Sequence, residues 1–335
     1  MKGIIFQSKY NAELCELKDR MPSDNEVRVK LSYSAISAGT ERALITANED
    51  GDETNKFGFP AYSGYSGSGV ITHIGKNVTT VKPGDRVMVH GGGHKQFCTV
   101  AEKEVVKLPD NVELSDAAFA IIAGFSLAAV RKAEPELGQD GLVVGLGLLG
   151  LFSVQYLKLC GTRNIIVSDF SPERRELALK LGADYALDPM QEGYVEKIKE
   201  ITEGKGVNFV IEVTGNAQAL EQCLKCTAKF GKVILLGCTR KRTEIDFYNY
   251  VHRPGIQLIG AHSGARPMLE SQPGNWTEMD DCKVTLAYLS KKRLDFKSMI
   301  SEIHTPEDAS EVYSRLVKNE LPTGVLFDWN RLSVN

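Results

Sequence analysis

The spacing of apolar residues changes character about a third of the way along the chain. Residues 2–107 contain short apolar runs separated by turn clusters, as in EVRVKLSYSAI, GSGVITHIG and PGDRVMVHG. One of these turns joins Pro83 to Gly84, which is a strong turn signal. Many short strands at this spacing are typical of a β-barrel-like domain rather than of alternating strand–helix units.

A helical period begins at Ser115, where SDAAFAIIAGFSLAAVRKA predicts a helix capped by Ser115 or Asp116. Strand and helix then alternate as far as residue 260. The helix SPERRELALKLG has Pro172 in its first turn and ends at Gly182. This alternation predicts a parallel sheet covered by helices on both faces. The predicted strands of that sheet lie at 141–145, 164–168, 207–213, 232–236 and 256–260.

The last segment has a looser pattern. A long polar loop, GARPMLESQPGNWTEMDD, is followed by predicted helices at 280–292 and 306–319 and by a terminal strand, GVLFDW. A chain of 335 residues is too long for one ordinary core. We therefore expect a first domain over 1–122, a second over 123–262, and a return segment over 263–335 that completes the first domain.

The first strand of the predicted parallel sheet leads into a glycine-rich turn. Gly145, Gly147 and Gly150 have G-x-G-x-x-G spacing between that strand and a predicted helix. In a dinucleotide site the first glycine makes the tight turn, the second lets the pyrophosphate approach the backbone, and the third lets helix and strand pack closely. The helix N-terminus also offers unpaired N–H groups to the phosphates. An ordinary strand-to-helix turn is the alternative interpretation.

An acidic residue stands where such a site needs one. Asp169 follows the next predicted strand, 19 residues beyond Gly150, where a carboxylate reaches the ribose hydroxyls. Because a carboxylate binds a free 2′-hydroxyl and repels a 2′-phosphate, we predict NAD rather than NADP. Arg174 and Arg175 lie nearby, and the helix that Pro172 starts is expected to carry them outward.

Composition and charge exclude other classes of protein. Hydrophobic residues make up 42% and charged residues 25%, and the net charge of −3 gives no reason to expect nucleic acid or a membrane as a partner. The N-terminal residues do not have the pattern of a signal peptide, and the apolar runs are too short for a membrane span. The seven cysteines are expected to be free thiols of a cytoplasmic protein. The pair Cys223 and Cys226 lies in a predicted helix, which favours packing over redox or zinc chemistry.

Seven motifs spread over the whole chain form a specific set: ISAGTE (36–41), YSGYSGSGVITHIG (62–75), VKPGDRV (81–87), VVKLPDN (105–111), VVGLGLLG (143–150), SDFSPERRELALKLGAD (168–184) and PEDASEVYSRL (306–316). Together they resemble the medium-chain dehydrogenase/reductase superfamily. The resemblance is to sorbitol- and threonine-type dehydrogenases and to a zinc-free branch with bacteriochlorophyllide hydroxyethyl dehydrogenases. It implies an α/β fold with a Rossmann doubly wound parallel sheet inserted in a GroES-like β-barrel catalytic domain. Hydride would pass to or from C4 of the nicotinamide between the two domains.

The zinc ligands that the resemblance implies are missing. Where zinc members carry the Cys of G-I-C-G-T-D, this chain has Ala38, or Ser37 if the register slips by one. The His and Glu of G-H-E align with Tyr65 and Ser66, and the third ligand position falls near Ile121. Alanine and isoleucine have no donor atom and a neutral tyrosine is a poor partner for zinc, so we expect no metal.

Without zinc, a side chain must act as general acid or base at the substrate oxygen. The candidates that the family motifs indicate are Tyr65, His94, Thr40 and Glu41. A metal relocated to His90 and His94 is the alternative, although two histidines without a nearby acid or thiol make a weak site.

Each of these candidates has a second interpretation. Tyr65 takes the place of a ligand that faces the substrate oxygen, or it simply packs. His94 follows three glycines and titrates near neutrality, or it is a solvated loop histidine. Thr40 matches a hydroxyl that relays protons in zinc relatives, or it stabilises a turn. Glu41 orients a partner, or it pairs with Arg42.

The resemblance also assigns residues around the cofactor and the substrate. EVTGN (212–216) resembles the segment on the adenosine side, and LLGC (235–238) and GAH (260–262) resemble the strand ends nearest the nicotinamide. The expected cofactor-binding residues are Gly145, Gly147, Leu148, Leu149, Gly150, Asp169, Arg174, Thr214, Gly237, Cys238, Ala261 and His262. The expected substrate residues are Ser66, His90, His252 and Trp276.

These observations favour a zinc-independent, NAD-dependent oxidoreductase of a secondary alcohol or its ketone. A sugar, polyol or cyclitol derivative is the favoured substrate, with a bulkier hydroxyethyl compound as an alternative. The competing functions are a zinc-free quinone or enoyl reductase and a non-catalytic dinucleotide-binding protein. We expect a homo-oligomer, either a dimer or a tetramer, whose partners are small molecules.

Overall fold

The computed structural model describes residues 1–49 and 58–333, which form two compact units. One unit contains residues 1–122 together with the chain from Cys282 onward, and the other contains residues 123–281. No helix within the described ranges is long and apolar enough to cross a membrane.

Short strands dominate the first unit, as its apolar pattern predicts. Val27, Val29 and Leu31 on the longest of them are fully buried, which places this strand in the core. A short helix, α1 (Ala38–Ile45), begins inside the ISAGTE motif, where the apolar pattern does not predict one. The strands are β1 (Lys2–Ser8), β2 (Asn11–Glu16), β3 (Glu26–Ala35), β4 (Ala61–Tyr62), β5 (Ser66–Ile74), β6 (Arg86–His90), β7 (Phe97–Ala101) and β8 (Val105–Lys107).

The helix predicted from residue 115 is two helices, α2 (Leu114–Ala117) and α3 (Ala120–Ala133). The cap prediction is wrong, because Glu113 has the extended backbone that precedes the helix. Ser115 and Asp116 therefore lie within the first turn, where the acidic side chain still favours the positive end of the helix dipole.

Strands and helices alternate through the second unit. All its strands are parallel, in the order β11-β10-β9-β12-β13-β14. Every residue of β9 is buried, as expected of a central strand covered on both faces. The predicted α/β fold with a doubly wound parallel sheet is confirmed, and β11 and α6 are elements that the apolar pattern does not predict. The elements are β9 (Asp140–Val144), α4 (Leu148–Cys160), β10 (Asn164–Ser168), α5 (Pro172–Leu181), β11 (Tyr185–Leu187), α6 (Tyr194–Ile201), β12 (Val207–Glu212), α7 (Ala217–Cys226), β13 (Thr227–Leu235) and β14 (Gln257–Gly260).

The end of the chain returns to the first unit. After α8 (Glu278–Ser290) come β15 (Glu302–His304), α9 (Ala309–Val317) and β16 (Val325–Asp328). Strand β16 pairs antiparallel with β3 and parallel with β15, so the return segment extends the sheet of the first unit to the order β15-β16-β3-β5-β6-β8.

The second unit ends after residue 281, which is 19 residues beyond the expected boundary at 262. Arg131 holds this additional segment within the second unit. Its guanidinium lies over the ring of Trp276, 3.8 Å from the centroid, and its Nε donates to Asp281 at 2.8 Å. The polar loop therefore belongs to the second unit, although its composition predicts only a connection.

Replacing Gly150 with alanine should destabilise the second unit, because the new Cβ would lie 2.0 Å from the carbonyl oxygen of Gly145. Backbone atoms cannot move aside easily, so we expect a loss of about 1–3 kcal/mol in the free energy of unfolding. Calorimetry without cofactor would show this as a lower Tm. Gly147→Ala is the matched control, since nothing lies within 4 Å of its Cβ. Equal Tm values for the two variants would contradict the close-packing role of Gly150.

Candidate active site

The carboxyl ends of the parallel strands lie level at one edge of the second unit's sheet. Val144 of β9 is in register with Ser168 of β10 and with Glu212 of β12. Glu212 is in register with Leu235 of β13, and Leu235 with Gly260 of β14. Chain order reverses at β9, and ligands of open α/β sheets bind outside the strand ends at such a reversal. The glycine-rich turn follows this strand directly.

The glycines of this turn have the geometry that their spacing predicts. Gly145 has φ +94°, a left-handed conformation that favours glycine, and a Cβ there would lie 2.8 Å from the methyl carbon of Thr214. Gly147 faces open space and precedes α4. No side chain caps the first turn of α4, which includes Leu148 and Leu149, so its backbone amides are suited to bind phosphate oxygens.

Asp169 supports the glycine-rich turn directly. Its Oδ2 accepts the N–H of Leu146 at 2.7 Å, and its Oδ1 accepts the N–H of Ser171 at 2.9 Å. The side chain is largely buried, at 8% exposure of the residue. Asp169 therefore fixes the distance between the turn after β9 and the end of β10, in addition to any contact with a ribose.

The expectation that the neighbouring arginines point outward is wrong. Nη1 of Arg174 lies 3.9 Å from Oδ2 of Asp169, and Nη1 of Arg175 donates to the Asp169 carbonyl oxygen at 2.6 Å. The helix starts at Pro172 as predicted, but its first turn begins so close to Asp169 that both side chains fold back to the acidic turn.

A second buried carboxylate organises the turn after β12. Oε1 of Glu212 accepts the N–H groups of Thr214 at 2.6 Å and of Gly215 at 3.0 Å, and it also accepts the Thr214 hydroxyl. Burial raises the pKa of the Glu212 carboxyl, and these hydrogen bonds oppose that rise. Thr214 is thereby held against Gly145 of the glycine-rich turn.

The remaining expected cofactor residues line the neighbouring strand ends. A Cβ on Gly237 would lie 2.4 Å from the backbone nitrogen of Gly215, so the turns after β12 and β13 pack closely. Cys238 is exposed and Ala261 is buried. His262 is exposed, and its Nδ1 accepts the N–H of Gly264 at 3.1 Å. The edge thus groups most of the cofactor residues that the sequence assigns.

Two expected substrate residues have partners inside the second unit. His252 is exposed and its ring stacks on Tyr248, with the centroids 5.9 Å apart. Trp276 lies under the guanidinium of Arg131. Neither contact points to a substrate.

The C-x-x-C pair lies in α7 with both cysteines buried. Burial raises the pKa of the Cys226 thiol to about 12 and that of Cys223 well above its usual value. Such thiols are poor nucleophiles near neutrality, which favours the packing interpretation over redox chemistry.

A hydrogen-bonded pair of hydroxyl groups lies in the first unit where the family resemblance places zinc ligands: Tyr65 is at the position of the His, and Ser37 directly precedes Ala38 at the position of the Cys. The phenol of Tyr65 donates to Oγ of Ser37 at 2.6 Å. Ser37 precedes α1 but its hydroxyl does not cap that helix, so the Oγ that would ordinarily accept a helix N–H accepts the phenol instead. Tyr65 is partly buried. These contacts bring together two residues that are 28 positions apart in the chain.

Glu41 is buried in the core of the first unit and contacts Ser37 of this pair. Its Oε1 accepts the backbone N–H of Ser37 at 2.8 Å. Its Oε2 accepts the phenol of Tyr313 at 2.5 Å and lies 3.1 Å from Nε2 of His94. Glu41 is 1% exposed, while His94 and Tyr313 are fully buried. Burial, followed by the negative Glu41, raises the pKa of the Tyr313 phenol, which keeps it a neutral donor.

The other ring nitrogen of His94 continues the network. Nδ1 lies 2.7 Å from Oγ of Ser34, which accepts the indole N–H of Trp329 at 2.8 Å. One proton arrangement satisfies every group: Trp329 donates to Ser34, Ser34 donates to Nδ1, and Nε2–H donates to Glu41. Since both nitrogens of His94 have partners inside the core, no nitrogen is left for a substrate. The expectation of a catalytic or loop histidine is therefore replaced by a structural role.

The other predicted catalytic and substrate residues of this unit have separate hydrogen-bond environments, although Ser66 of β5 and His90 of β6 are register partners. Thr40 is exposed on α1. His90 lies 2.7 Å from Oε2 of Glu104 through its Nδ1, and Ser66 donates to the carbonyl of Ala118. His90 and His94 thus have separate acidic partners.

Zinc, which the resemblance implies for most of the family, does not fit these residues. Ala38 offers only a methyl group, Ile121 is buried and apolar, and the hydroxyls of Tyr65 and Ser37 bond each other. Within residues 1–49 and 58–333, no group of three His, Cys, Asp or Glu side chains is arranged to hold a metal ion. Zinc sites in proteins are built from thiolate, imidazole and carboxylate donors, whereas the donors here are hydroxyls.

Sequence reasoning missed Tyr313, Trp329 and Ser34, and it named Ser37 only as a possible register slip. Tyr313 and Trp329 belong to the return segment, at separations of 272 and 295 residues from Glu41 and Ser34. Tyr313 and Trp329 are identified only by their buried hydrogen bonds in the folded core.

Comparisons with known proteins agree with this architecture. Residues 23–110 match the alcohol dehydrogenase GroES-like domain and residues 149–281 match the zinc-binding dehydrogenase domain. The chain is 30% identical over 280 residues to an L-threonine 3-dehydrogenase of Pyrococcus abyssi, covering 75% of this chain and 79% of that protein. It is 30% identical over 278 residues to an (R,R)-butanediol dehydrogenase of Bacillus subtilis, covering 73% and 80%.

The fold is also shared with solved structures. One is an E. coli CFT073 protein described as a short chain alcohol dehydrogenase in complex with NADH, with a TM-score of 0.84, 20% identity and coverage of 98% and 99%. The chain therefore belongs to the medium-chain dehydrogenase superfamily of zinc-type alcohol dehydrogenases and is an alcohol dehydrogenase-type oxidoreductase.

Proposed function

We propose that this protein transfers hydride between NAD and a secondary alcohol or its ketone, without zinc, and that the Tyr65 hydroxyl carries the proton. The observation that carries the proposal is the 2.6 Å hydrogen bond from Tyr65 to Ser37. Tyr65 stands at the position that holds the zinc-binding His in the family motifs, and Ser37 directly precedes Ala38, which stands at the position of the Cys. A hydroxyl pair in that place provides a proton donor and acceptor where a Lewis acid would otherwise act.

The proton transfer follows from the chemistry of the pair. Oxidising an alcohol requires its hydroxyl proton to leave, and reducing a ketone requires a proton to arrive. In the proposed oxidation, the Tyr65 phenol takes up the alcohol's proton as it passes its own proton along the hydrogen bond to Ser37, whose hydroxyl releases a proton to solvent. Reduction of a ketone uses the same steps in reverse. Thr40 is exposed on the same short helix as Glu41, and we propose that it links this path to solvent. A positioned acid–base group of this kind contributes about 10²–10⁴-fold in rate.

His94 and Glu41 do not take part in the proposed proton path. Glu41 accepts three internal donors, and both nitrogens of His94 are occupied. Their role is to support the first unit from within.

The cofactor would be held by the strand-end edge of the second unit. The amides of α4 after Gly147 suit the pyrophosphate, and Asp169 suits the ribose hydroxyls. When bound, NAD supplies the hydride acceptor. Thr214, Cys238 and the other predicted cofactor residues at the same edge complete this proposed site.

A secondary alcohol is favoured because of the two relatives with 30% identity. The names of those relatives, threonine 3-dehydrogenase and (R,R)-butanediol dehydrogenase, describe oxidation at carbons that carry a hydroxyl and two carbon substituents. Within that class we propose a sugar, polyol or cyclitol derivative. The expected dimer or tetramer and the cytoplasmic location stay predictions from the sequence.

A turnover screen on metal-analysed protein tests this function. Polyols, sugars, simple secondary alcohols, quinones and enones would be offered with the oxidised or reduced cofactor. We expect turnover of secondary alcohols or ketones, no stoichiometric zinc, and no effect of chelators. Turnover of quinones or enones alone would indicate a C=C or quinone reductase, and binding of cofactor without turnover would indicate a non-catalytic role. One zinc per chain, lost together with activity, would contradict the proposed mechanism.

NAD should be preferred to NADP, because the Asp169 carboxylate repels a 2′-phosphate. The ratio of kcat/KM values for the two cofactors measures the preference. Asp169→Ser should reduce the ratio of kcat/KM for NAD to that for NADP. It should also weaken NAD binding, since the hydrogen bond from the Leu146 N–H is lost. Arg174→Ala is the companion variant: its guanidinium lies 3.9 Å from Asp169, so its removal should lower any residual use of NADP. Equal efficiency with NADP in the unmodified protein would refute the preference.

Tyr65→Phe should lower kcat on the order of 10²-fold, equivalent to about 2.7 kcal/mol of barrier, with the Kd for NADH little changed. The substitution keeps the ring and deletes only the hydroxyl that donates to Ser37. Steady-state kinetics and cofactor fluorescence provide the two measurements. Tyr62→Phe is the control, since Tyr62 is 57% exposed and lies three residues earlier. A near-normal kcat for Tyr65→Phe would reduce Tyr65 to a packing residue.

A further inference from the structure

We propose that Tyr313, carried by the return helix α9, is a positioning residue that acts through Glu41 and Ser37 to hold the Tyr65 hydroxyl in place. This inference rests on the function proposed for Tyr65. It gives a residue of the return segment a role in proton transfer by Tyr65, through the ISAGTE motif near the start of the chain.

The route from Tyr313 to Tyr65 consists of three hydrogen bonds within the first unit. The Tyr313 phenol donates to Oε2 of Glu41 at 2.5 Å. The other oxygen of Glu41 accepts the backbone N–H of Ser37 at 2.8 Å. Oγ of the same serine accepts the Tyr65 phenol at 2.6 Å. Every step is a hydrogen bond of ordinary or short length, so the orientation of one group limits that of the next.

Glu41 can hold Ser37 only while its own carboxylate is fixed. The carboxylate is buried, and its acceptor sites are filled by the phenol of Tyr313, Nε2 of His94 and the N–H of Ser37. Leaving a buried carboxylate without one of its hydrogen-bond donors costs free energy, so we expect the carboxylate to reorient toward another donor. Loss of the Tyr313 hydroxyl would therefore change the position of the Glu41 carboxylate and, through its hydrogen bond, that of the Ser37 backbone before α1.

The ring and the hydroxyl of Tyr313 have separable roles. The ring packs edge-on against Phe6, with centroids 4.8 Å apart, and lies near Phe327, with centroids 6.1 Å apart. The hydroxyl contacts Glu41, and Ser63 lies 3.4 Å away. Tyr313→Phe therefore keeps the packing that joins the return segment to the core and removes the link to Glu41.

A double-mutant cycle in kcat tests the positioning role. Tyr313→Phe alone should lower kcat roughly 10-fold with the KM for NAD unchanged, which is a typical size for coupling through a hydrogen-bond network. In a Tyr65→Phe background the same substitution should cause no further loss, because the group that it positions is gone. An equal fold-loss in both backgrounds would overturn the proposal and indicate a general scaffold role.

A spectroscopic measurement tests the same link without turnover. Tyrosine labelled with 13C at Cζ gives a resonance for Tyr65, identified by its disappearance in Tyr65→Phe. Tyr313→Phe should displace that resonance. Tyr194→Phe is the matched control, since it removes a buried phenol that donates to Ser168 at 2.9 Å in the other unit, and it should leave the resonance in place. An unmoved Tyr65 resonance in Tyr313→Phe would refute positioning.

These measurements separate failure of the inference from failure of the proposed function. If Tyr65→Phe turns over normally, the proposed proton-transfer role of Tyr65 is wrong. The Tyr65 resonance in Tyr313→Phe then still shows whether Tyr313 holds Tyr65 in place. Glu41→Gln is the second variant if Tyr313→Phe does not fold, because it keeps the shape of the side chain while changing its hydrogen bonding. It should displace the same resonance, and an unmoved resonance in this variant also counts against the proposal.

Discussion

A buried carboxylate must find donors inside the protein, and this constraint organises the first unit. Glu41 is almost completely buried, and three donors from distant parts of the chain converge on it. Ser37 contributes a backbone amide, His94 a ring nitrogen and Tyr313 a phenol. Because removing water from an unpaired carboxylate costs several kcal/mol, none of the three elements can move independently once Glu41 is enclosed. The early helix α1, the loop before β7 and the return helix α9 are thereby locked together.

In the second unit, buried carboxylates likewise satisfy backbone amides at the carboxyl edge of the parallel sheet. Asp169 accepts the N–H of Leu146 in the glycine-rich turn, and Glu212 accepts those of Thr214 and Gly215 in the turn after β12. In both cases an acidic residue at a strand end holds a turn whose backbone must keep a defined shape. Turn amides have no partner in the sheet, so a carboxylate satisfies them and fixes their direction. The protein's own carboxylates thus hold the shape of the turns that would carry a dinucleotide.

The predictability of these features depends on how far apart the interacting residues are. The glycine-rich turn, Asp169 and the parallel strands follow from local periodicity and spacing, and the structure agrees with them closely. The cap of α2 was missed because a shift of one or two residues hardly changes the apolar pattern.

The interior of the first unit could not be predicted in this way. His94 follows three glycines, which indicates a flexible loop, yet its ring lies in the core. Its burial depends on Glu41 and on Trp329, which comes more than 200 residues later in the chain. No local pattern records such partners, because they meet only when the return strand β16 pairs with β3.

In the proposed zinc-free mechanism, these buried contacts position the proton-transferring hydroxyl. A metal ion polarises a substrate oxygen through its charge. A hydroxyl such as that of Tyr65 has no such charge, and its effect falls steeply when the donor–acceptor direction is wrong. A zinc-free site therefore needs its orientation supplied by the surrounding protein. The connection from Tyr65 through Ser37 to Glu41 meets that need, because it links a partly buried hydroxyl to a buried carboxylate that three internal donors hold in place.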